Sequence, residues 1–305
     1  LYPIPNRIAP IFYKRAALQL YAAAVSWYNG RDCEIKVHII KCKKTALPQG
    51  DKNMNIIANI PGAIKMLSCL RHLQPDKKHI EAARAAGNYE EERKWILKST
   101  TTWGNHVMDI FGSTVTVYGE ENLPDHGPVV FVGNHQGYAD IFSYFKAFQK
   151  FQFAFVAKKE LGEIPLYGKW IARIRSVFIE RDDPRASLEA INRGIEYIKE
   201  GFSLAIFPEG TRSKGPDPGE FQKGALKLAT KPGVPIIPVS LNGSYKMFEE
   251  PGHLTSANIE MIVHKPIPTE GLSRKEEKAL PDIVEKIIVD GVRKLQANEQ
   301  GADHE

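Results

Sequence analysis

The stretch PVVFVGNH, residues 128–135, runs through an unbroken set of apolar residues before ending in Gly133, Asn134 and His135. The run is too short for an ordinary helix and does not alternate with polar residues. It reads as a strand covered on both faces, the form taken by central strands of parallel sheets. Upstream, STVTVYG (113–119) carries β-branched residues in alternation and reads as a strand, with ENLPDHG as the turn between the two. Downstream, a helix is expected over about 139–150, a strand in FQFAFVAKKE (151–160), a helix in PLYGKWIARIR (165–175) and a strand in SVFIER (176–181).

The alternation continues. Asp183-Pro184 supplies an N-cap and a first-turn proline, and Leu188, Ile191, Ile195 and Ile198 then line one helix face as far as a stop at Gly201. FSLAIFPEG (202–210) reads as a buried strand, FQKGALKLA (221–229) as a helix, VPIIPVSLNG (234–243) as a strand and NIEMIVHKPI (258–267) as a strand near the sheet edge. LPDIVEKIIVDGVRKLQAN (280–298) closes as a helix, with Val284, Ile287, Ile288 and Leu295 on its apolar side. Strands alternating with helices give an α/β domain, a layered mixed sheet flanked by helices, over residues 113–298. The polar residues 299–305 are expected to be a loose tail.

Residues 54–112 are helical in pattern, with breaks at Pro75 and at Gly87-Asn88. Apolar residues here, among them Met66, Leu67, Leu70, Trp95, Ile96, Trp103, Met108 and Phe111, are interleaved with Lys65, Arg71, Lys77, Lys78, Arg93 and Lys94. Two readings are open. One is an amphipathic hairpin entering a membrane interface; the other is a helical pair packed on the main domain. Residues 1–53 show little periodicity, and their apolar run from Ile8 to Tyr28 is interrupted by Lys14, Arg15 and Gln19. The expectation is a natural start at Met54, with residues 1–53 as a doubtful or disordered extension.

Across 305 residues the net charge is +5, with 25% charged and 43% hydrophobic residues, the balance of a globular protein. The mild basicity suits an anionic headgroup or membrane surface, and no recognition motif points to nucleic acid. Cys33, Cys42 and Cys69 form no CxxC pair and have no zinc-ligand spacing, so reduced thiols, a cytosol-facing compartment and no metal are expected.

His135 and Asp140 stand five positions apart. On a regular helix they would point about 140° away from each other, so they meet only across a turn at 136–138, which Gly137 permits. A facing pair would let neutral imidazole deprotonate an alcohol while the carboxylate fixes the tautomer. A capping aspartate beside a structural histidine is the competing reading. In FPEGTRS (207–213), Arg212 can fork onto a phosphate and the Gly210-Thr211 turn can offer N–H groups to an anion. Lys158 and Arg181 end two further strands, and strand C-terminal ends are where open α/β sheets place ligands.

NHQGYAD, SVFIER, FPEGTR and VPIIPV, in that order, resemble the four-block pattern of the glycerolipid acyltransferases, and in particular of the 1-acylglycerol-3-phosphate O-acyltransferase (lysophosphatidic acid acyltransferase) family. The resemblance covers about residues 117–270. It implies acyl transfer from an acyl-CoA or acyl carrier protein thioester to the free hydroxyl of lysophosphatidic acid, giving phosphatidic acid, with no cofactor. In that scheme His135 is the general base and Asp140 orients it. Lys158, Arg181, Glu209, Gly210, Thr211 and Arg212 shape the acceptor site, Asn134 fixes the histidine loop, and Pro235 and Pro238 support a wall of the site or simply pack a strand. Backbone N–H groups near Gly137 are the candidate oxyanion donors. The resemblance favours the membrane-dipping reading of residues 54–112 and a location at the cytoplasmic face of a membrane.

Two positions depart from the pattern: Gly137 where the family usually has serine, and Arg175 where it usually has glycine, a cation that could join or crowd the headgroup site. Glycerol-3-phosphate or another lysophospholipid as acceptor, or phospholipid binding without turnover, are the alternatives.

Overall fold

The computed structural model describes residues 62, 65, 69–70, 72–164, 166–180, 183–222 and 224–302. The expected extension at 1–53, the start at Met54 and Arg181 all lie outside the described residues.

Two helices come first among the elements of the described residues. α1 (Gln74–Ala85) carries a proline in its first turn, so Pro75, expected as a break, stands at the start of a helix. α2 (Tyr89–Ile110) is capped by Asn88, whose side chain accepts from the Glu91 N–H at 3.1 Å. The hairpin packs on the main domain. Leu70, Ile80, Ile96, Trp103, Val107 and Met108 are all buried in the core, so most of the apolar face that suggested membrane insertion is used internally.

β1 (Thr114–Tyr118) and β2 (Val130–Gly133) follow, then α3 (Ala139–Ala147), β3 (Phe153–Lys158), the one-turn α4 (Lys159–Gly162), α5 (Tyr167–Arg173) and β4 (Val177–Ile179). α6 (Pro184–Lys199) starts as its sequence predicts: the Asp183 carboxylate accepts from the N–H groups of Arg185 and Ala186 at 2.9 and 3.0 Å. β5 (Ser203–Ile206), α7 (Lys227–Thr230), β6 (Ile236–Asn242), β7 (Asn258–Val263) and α8 (Arg274–Ala302) complete the domain. α7 is a single turn, shorter than the helix expected from FQKGALKLA. α8 runs beyond the start of the expected tail, and Glu299 there accepts hydrogen bonds from Lys246 and Asn242.

The seven strands form one sheet in the order β1-β7-β6-β2-β5-β3-β4. β6, β2, β5, β3 and β4 are mutually parallel; β7 is antiparallel to β6, and β1 is parallel to β7. The sheet is therefore mixed, with β7 one strand in from the β1 edge. β2, β5 and β6 are buried along their whole length, as their uninterrupted apolar runs predict. Phe131 on β2 stacks on Phe148 and meets Phe151 and Phe153, centring an aromatic core beneath the loop that follows β2. With β2 and β5 adjacent and parallel, the loops after Gly133 and after Ile206 leave the same edge of the sheet side by side.

Candidate active site

The loop after β2 turns sharply enough to bring His135 back over the start of α3. His135 Nδ1 lies 2.6 Å from Asp140 Oδ2. Asp140 is fully buried, and its carboxylate also accepts from the Gly137 N–H, at 3.1 and 3.2 Å to its two oxygens, and from the Ser244 hydroxyl. These donors favour Asp140 as the acceptor of the shared bond, and a neutral imidazole donating from Nδ1 carries its lone pair on Nε2. Phe207 supports the ring from below, parallel to it at 4.3 Å between centroids. The histidine side chain keeps 19% of its surface accessible, enough for a substrate to reach it.

The backbone around His135 is pinned from both sides. Asn134 exchanges two hydrogen bonds with Leu241 on β6, Nδ2 donating at 2.9 Å and Oδ1 accepting at 2.8 Å. The loop after β5 is stitched alongside: Ser213 N–H donates to the His135 carbonyl at 2.8 Å and Lys214 N–H to the Gln136 carbonyl at 3.1 Å. Gly210 turns this second loop at φ +70, a left-handed conformation that favours glycine. Thr211 is exposed, and Arg212 leans over the Tyr138 ring, with Cζ 3.7 Å from the centroid, while Nη1 donates to Glu249 Oε1 at 2.7 Å.

Glu209 is turned inward. Its carboxylate accepts from the His135 N–H at 2.6 Å and from the Gly219 N–H at 2.8 Å. Burial raises its pKa from 4.5 to about 7 against the pull of those two N–H groups, and the nearby Asp140 charge adds to the rise.

This frame can be set against known proteins. An acyltransferase family model matches residues 114–242, which span β1 to β6. A chloroplastic 1-acyl-sn-glycerol-3-phosphate acyltransferase of Brassica napus is 38% identical over 154 residues, half of this chain. The chain spans less than half the length of such plant relatives, 44% for that protein and 43% for its counterpart in Arabidopsis thaliana. The 1-acyl-sn-glycerol-3-phosphate acyltransferase of Borreliella burgdorferi is 32% identical over 179 residues, which cover 58% of this chain and 71% of that protein. The chain belongs to the 1-acyl-sn-glycerol-3-phosphate acyltransferase family. The crystal structure of the 1-acyl-sn-glycerophosphate (LPA) acyltransferase PlsC from Thermotoga maritima superposes with a TM-score of 0.59 at 29% identity, covering 77% of this chain and 98% of that one.

Within this acyltransferase fold, the structure gathers His135, Asp140, Glu209, Gly210 and Arg212 at one sheet edge. Lys158 ends β3 on the same edge, half-exposed, with Nζ 2.7 Å from Glu160. Three further positions take a definite place. The Gly137 N–H, expected near an oxyanion, is bound to Asp140, and the neighbouring N–H groups of His135 and Tyr138 are bound to Glu209 and Glu249. Pro238 lies inside the buried strand β6 opposite Val132, a packing position. Arg175 does not join the headgroup site: it forks onto the buried Glu92 of α2 and also pairs with Glu200.

Sequence reasoning missed Phe207 as the platform under the imidazole, Ser244 as a third donor to Asp140, and Glu249 as the partner of Arg212. Ser244 and Glu249 follow β6, more than a hundred residues from the histidine loop, and no local spacing marks them.

Proposed function

We propose that this chain transfers a fatty acyl group from an acyl-CoA or acyl carrier protein thioester to the free hydroxyl of lysophosphatidic acid, giving phosphatidic acid. The observation that carries this reading is the His135–Asp140 pair at 2.6 Å, at the same sheet edge as Arg212. The acceptor's phosphate binds Arg212, with Lys158 and Arg181 as further cations, and its hydroxyl faces His135 Nε2. Nε2 takes the hydroxyl proton as the oxygen attacks the thioester carbonyl carbon. Asp140 stabilises the imidazolium that forms, a contribution of roughly 10²–10⁴-fold for general base catalysis. Collapse of the tetrahedral adduct breaks the C–S bond, and the imidazolium returns the proton to the departing thiolate. No acyl-enzyme and no metal enter this sequence.

The substrate's place in a bilayer supports action at a membrane surface, on its cytoplasmic face. Among the described residues no helix is long and apolar enough to cross a membrane, so the described part of the chain engages lipid peripherally in this reading.

The test is thiol release from oleoyl-CoA, repeated with acyl carrier protein as donor. Lysophosphatidic acid, glycerol-3-phosphate and a monoacylglycerol serve as acceptors, and wild type runs beside His135→Ala. Release that depends on lysophosphatidic acid and is lost in the variant is the expected result. Faster release with glycerol-3-phosphate would move the acceptor. No release with any pair from folded protein would leave phospholipid binding without turnover as the function.

A further inference from the structure

The carboxylate of Glu249 occupies an unusual position. Its side chain is fully buried, yet it stands at the mouth of the histidine loop. Oε1 accepts from Arg212 Nη1 at 2.7 Å and from the Tyr138 N–H at 2.9 Å. Oε2 has no hydrogen-bond partner among the described residues. The same oxygen fills the space beside Gly137: a Cβ built there would lie 2.3 Å from Oε2 and 2.8 Å from the carboxyl carbon. Glycine at 137 and glutamate at 249 are therefore a matched pair, since a side chain at 137 would force the carboxylate to move.

A buried carboxylate oxygen without a partner is costly, and a native structure that keeps one calls for an explanation. Burial raises the Glu249 pKa above its ordinary value, the nearby Asp140 charge adds to the rise, and the Tyr138 N–H and Arg212 pull against it. Packing alone would be served as well by an apolar side chain of the same length. What glutamate adds is a carboxylate on Arg212, held by that guanidinium and by the Tyr138 N–H. A planar guanidinium presents the same fork to carboxylate and to phosphate. The acceptor's phosphate and Glu249 therefore compete for one cation.

We propose that Glu249 is a specificity-determining residue of the acceptor site, an internal carboxylate that occupies Arg212 until a phosphate-bearing acceptor displaces it. This rests on the proposed function only in assigning phosphate binding to Arg212. A neutral acceptor makes no claim on Arg212 and leaves the carboxylate in place. A phosphorylated acceptor must move it, so its apparent affinity carries the cost of that exchange.

The experiment compares wild type, Glu249→Gln, Arg212→Ala and the double variant, with KM and kcat measured for lysophosphatidic acid and for a monoacylglycerol. Glutamine keeps the shape and the acceptor for Tyr138 N–H while removing the charge. Glu249→Met, of similar length and apolar, repeats the test should glutamine fold poorly, and thermal unfolding checks both. The expected result is a roughly 3- to 10-fold lower KM for lysophosphatidic acid in Glu249→Gln, the scale of the net worth of one hydrogen bond. The monoacylglycerol KM should stay unchanged, and the effect should vanish in the Arg212→Ala background. An unchanged or higher KM, an equal shift for the neutral acceptor, or a shift that survives Arg212→Ala would overturn the proposal. Absence of transfer in wild type would sink the proposed function instead. Equilibrium binding of lysophosphatidic acid to the same four proteins would then decide the inference by the same criterion.

Discussion

Arg175 grips Glu92 through two parallel hydrogen bonds, Nε to Oε1 at 2.8 Å and Nη2 to Oε2 at 2.7 Å, across the junction between the α1–α2 hairpin and β4. Arg84 adds a further contact to Oε1, and Phe202 lies under the Arg175 guanidinium at 4.3 Å. Burial pushes the Glu92 carboxyl up, but the bonds from Arg175 and Arg84 outweigh it and hold it below its ordinary value. Arg175 sits at φ +73, a conformation that costs an L-residue about 1–3 kcal/mol and would suit glycine. The bidentate pair offsets that strain. Glu92→Ala leaves Arg175 with Glu200 as its carboxylate partner, beside Arg84, and should cost up to about 3–5 kcal/mol, the range for a buried pair broken on one side. Arg175→Ala leaves Glu92 with Arg84 and should cost less, about 1–3 kcal/mol. Urea midpoints measure both. The acceptor KM of Arg175→Ala should match wild type; a raised KM would return Arg175 to the headgroup site.

The seven strands were legible because their burial leaves a one-dimensional trace. β2, β5 and β6 are covered on both faces and read as unbroken apolar runs, while β1 is half-exposed and alternates. Their lateral order was not legible, since β7 enters between β1 and β6 through contacts distant in sequence. The His135–Asp140 pair could be read because both residues lie in one short turn. Glu249 could not, because what marks it is a missing Cβ at Gly137, a fact of three dimensions. The hairpin was ambiguous for a related reason: an apolar helix face has the same spacing whether it meets lipid or α3.

Asp140 serves two roles that mutation should separate. It orients His135 and also satisfies the Gly137 N–H and the Ser244 hydroxyl in a buried position. Asp140→Asn turns an amide donor toward at least one of these donors and releases the imidazole tautomer. Turnover should fall on the order of 10²–10⁴-fold, with about 1–3 kcal/mol lost from stability. His135→Ala should match the loss of turnover with little change in melting temperature. The double variant should be no slower than His135→Ala alone, because the two residues act as a unit. A further drop in the double variant would give Asp140 an independent part in the reaction.

Glu209 makes stability depend on pH in a stated direction. Its folded pKa, about 7, stands above the ordinary 4.5, so the folded state holds a proton that the unfolded chain has released. The relative stability is full below about pH 4.5 and is lost as pH rises to about 7. The exchange is on the order of 3 kcal/mol at its limit. Glu209→Gln cannot release that proton. Urea midpoints from pH 4.5 to 8 should therefore fall more steeply for wild type than for the variant. Parallel curves would show that Glu209 ionises at its ordinary value.

Gly104 tests the packing of the hairpin directly. It lies on α2 against α3, where a Cβ would meet Phe145 Cβ at 2.6 Å and the backbone N of Lys146 at 3.0 Å. The contact is with backbone and a fixed aromatic root, so neither side can yield without moving a helix. In an exposed helix, alanine in place of glycine would gain up to about 1 kcal/mol. Here overpacking of about 1–3 kcal/mol opposes that gain, and Gly104→Val, bulkier and with lower helix propensity than alanine, should be clearly destabilising. The check is the melting temperature in detergent-free buffer. A value equal to wild type would mean that α2 does not press on α3 in solution, and its apolar face would then be available to lipid.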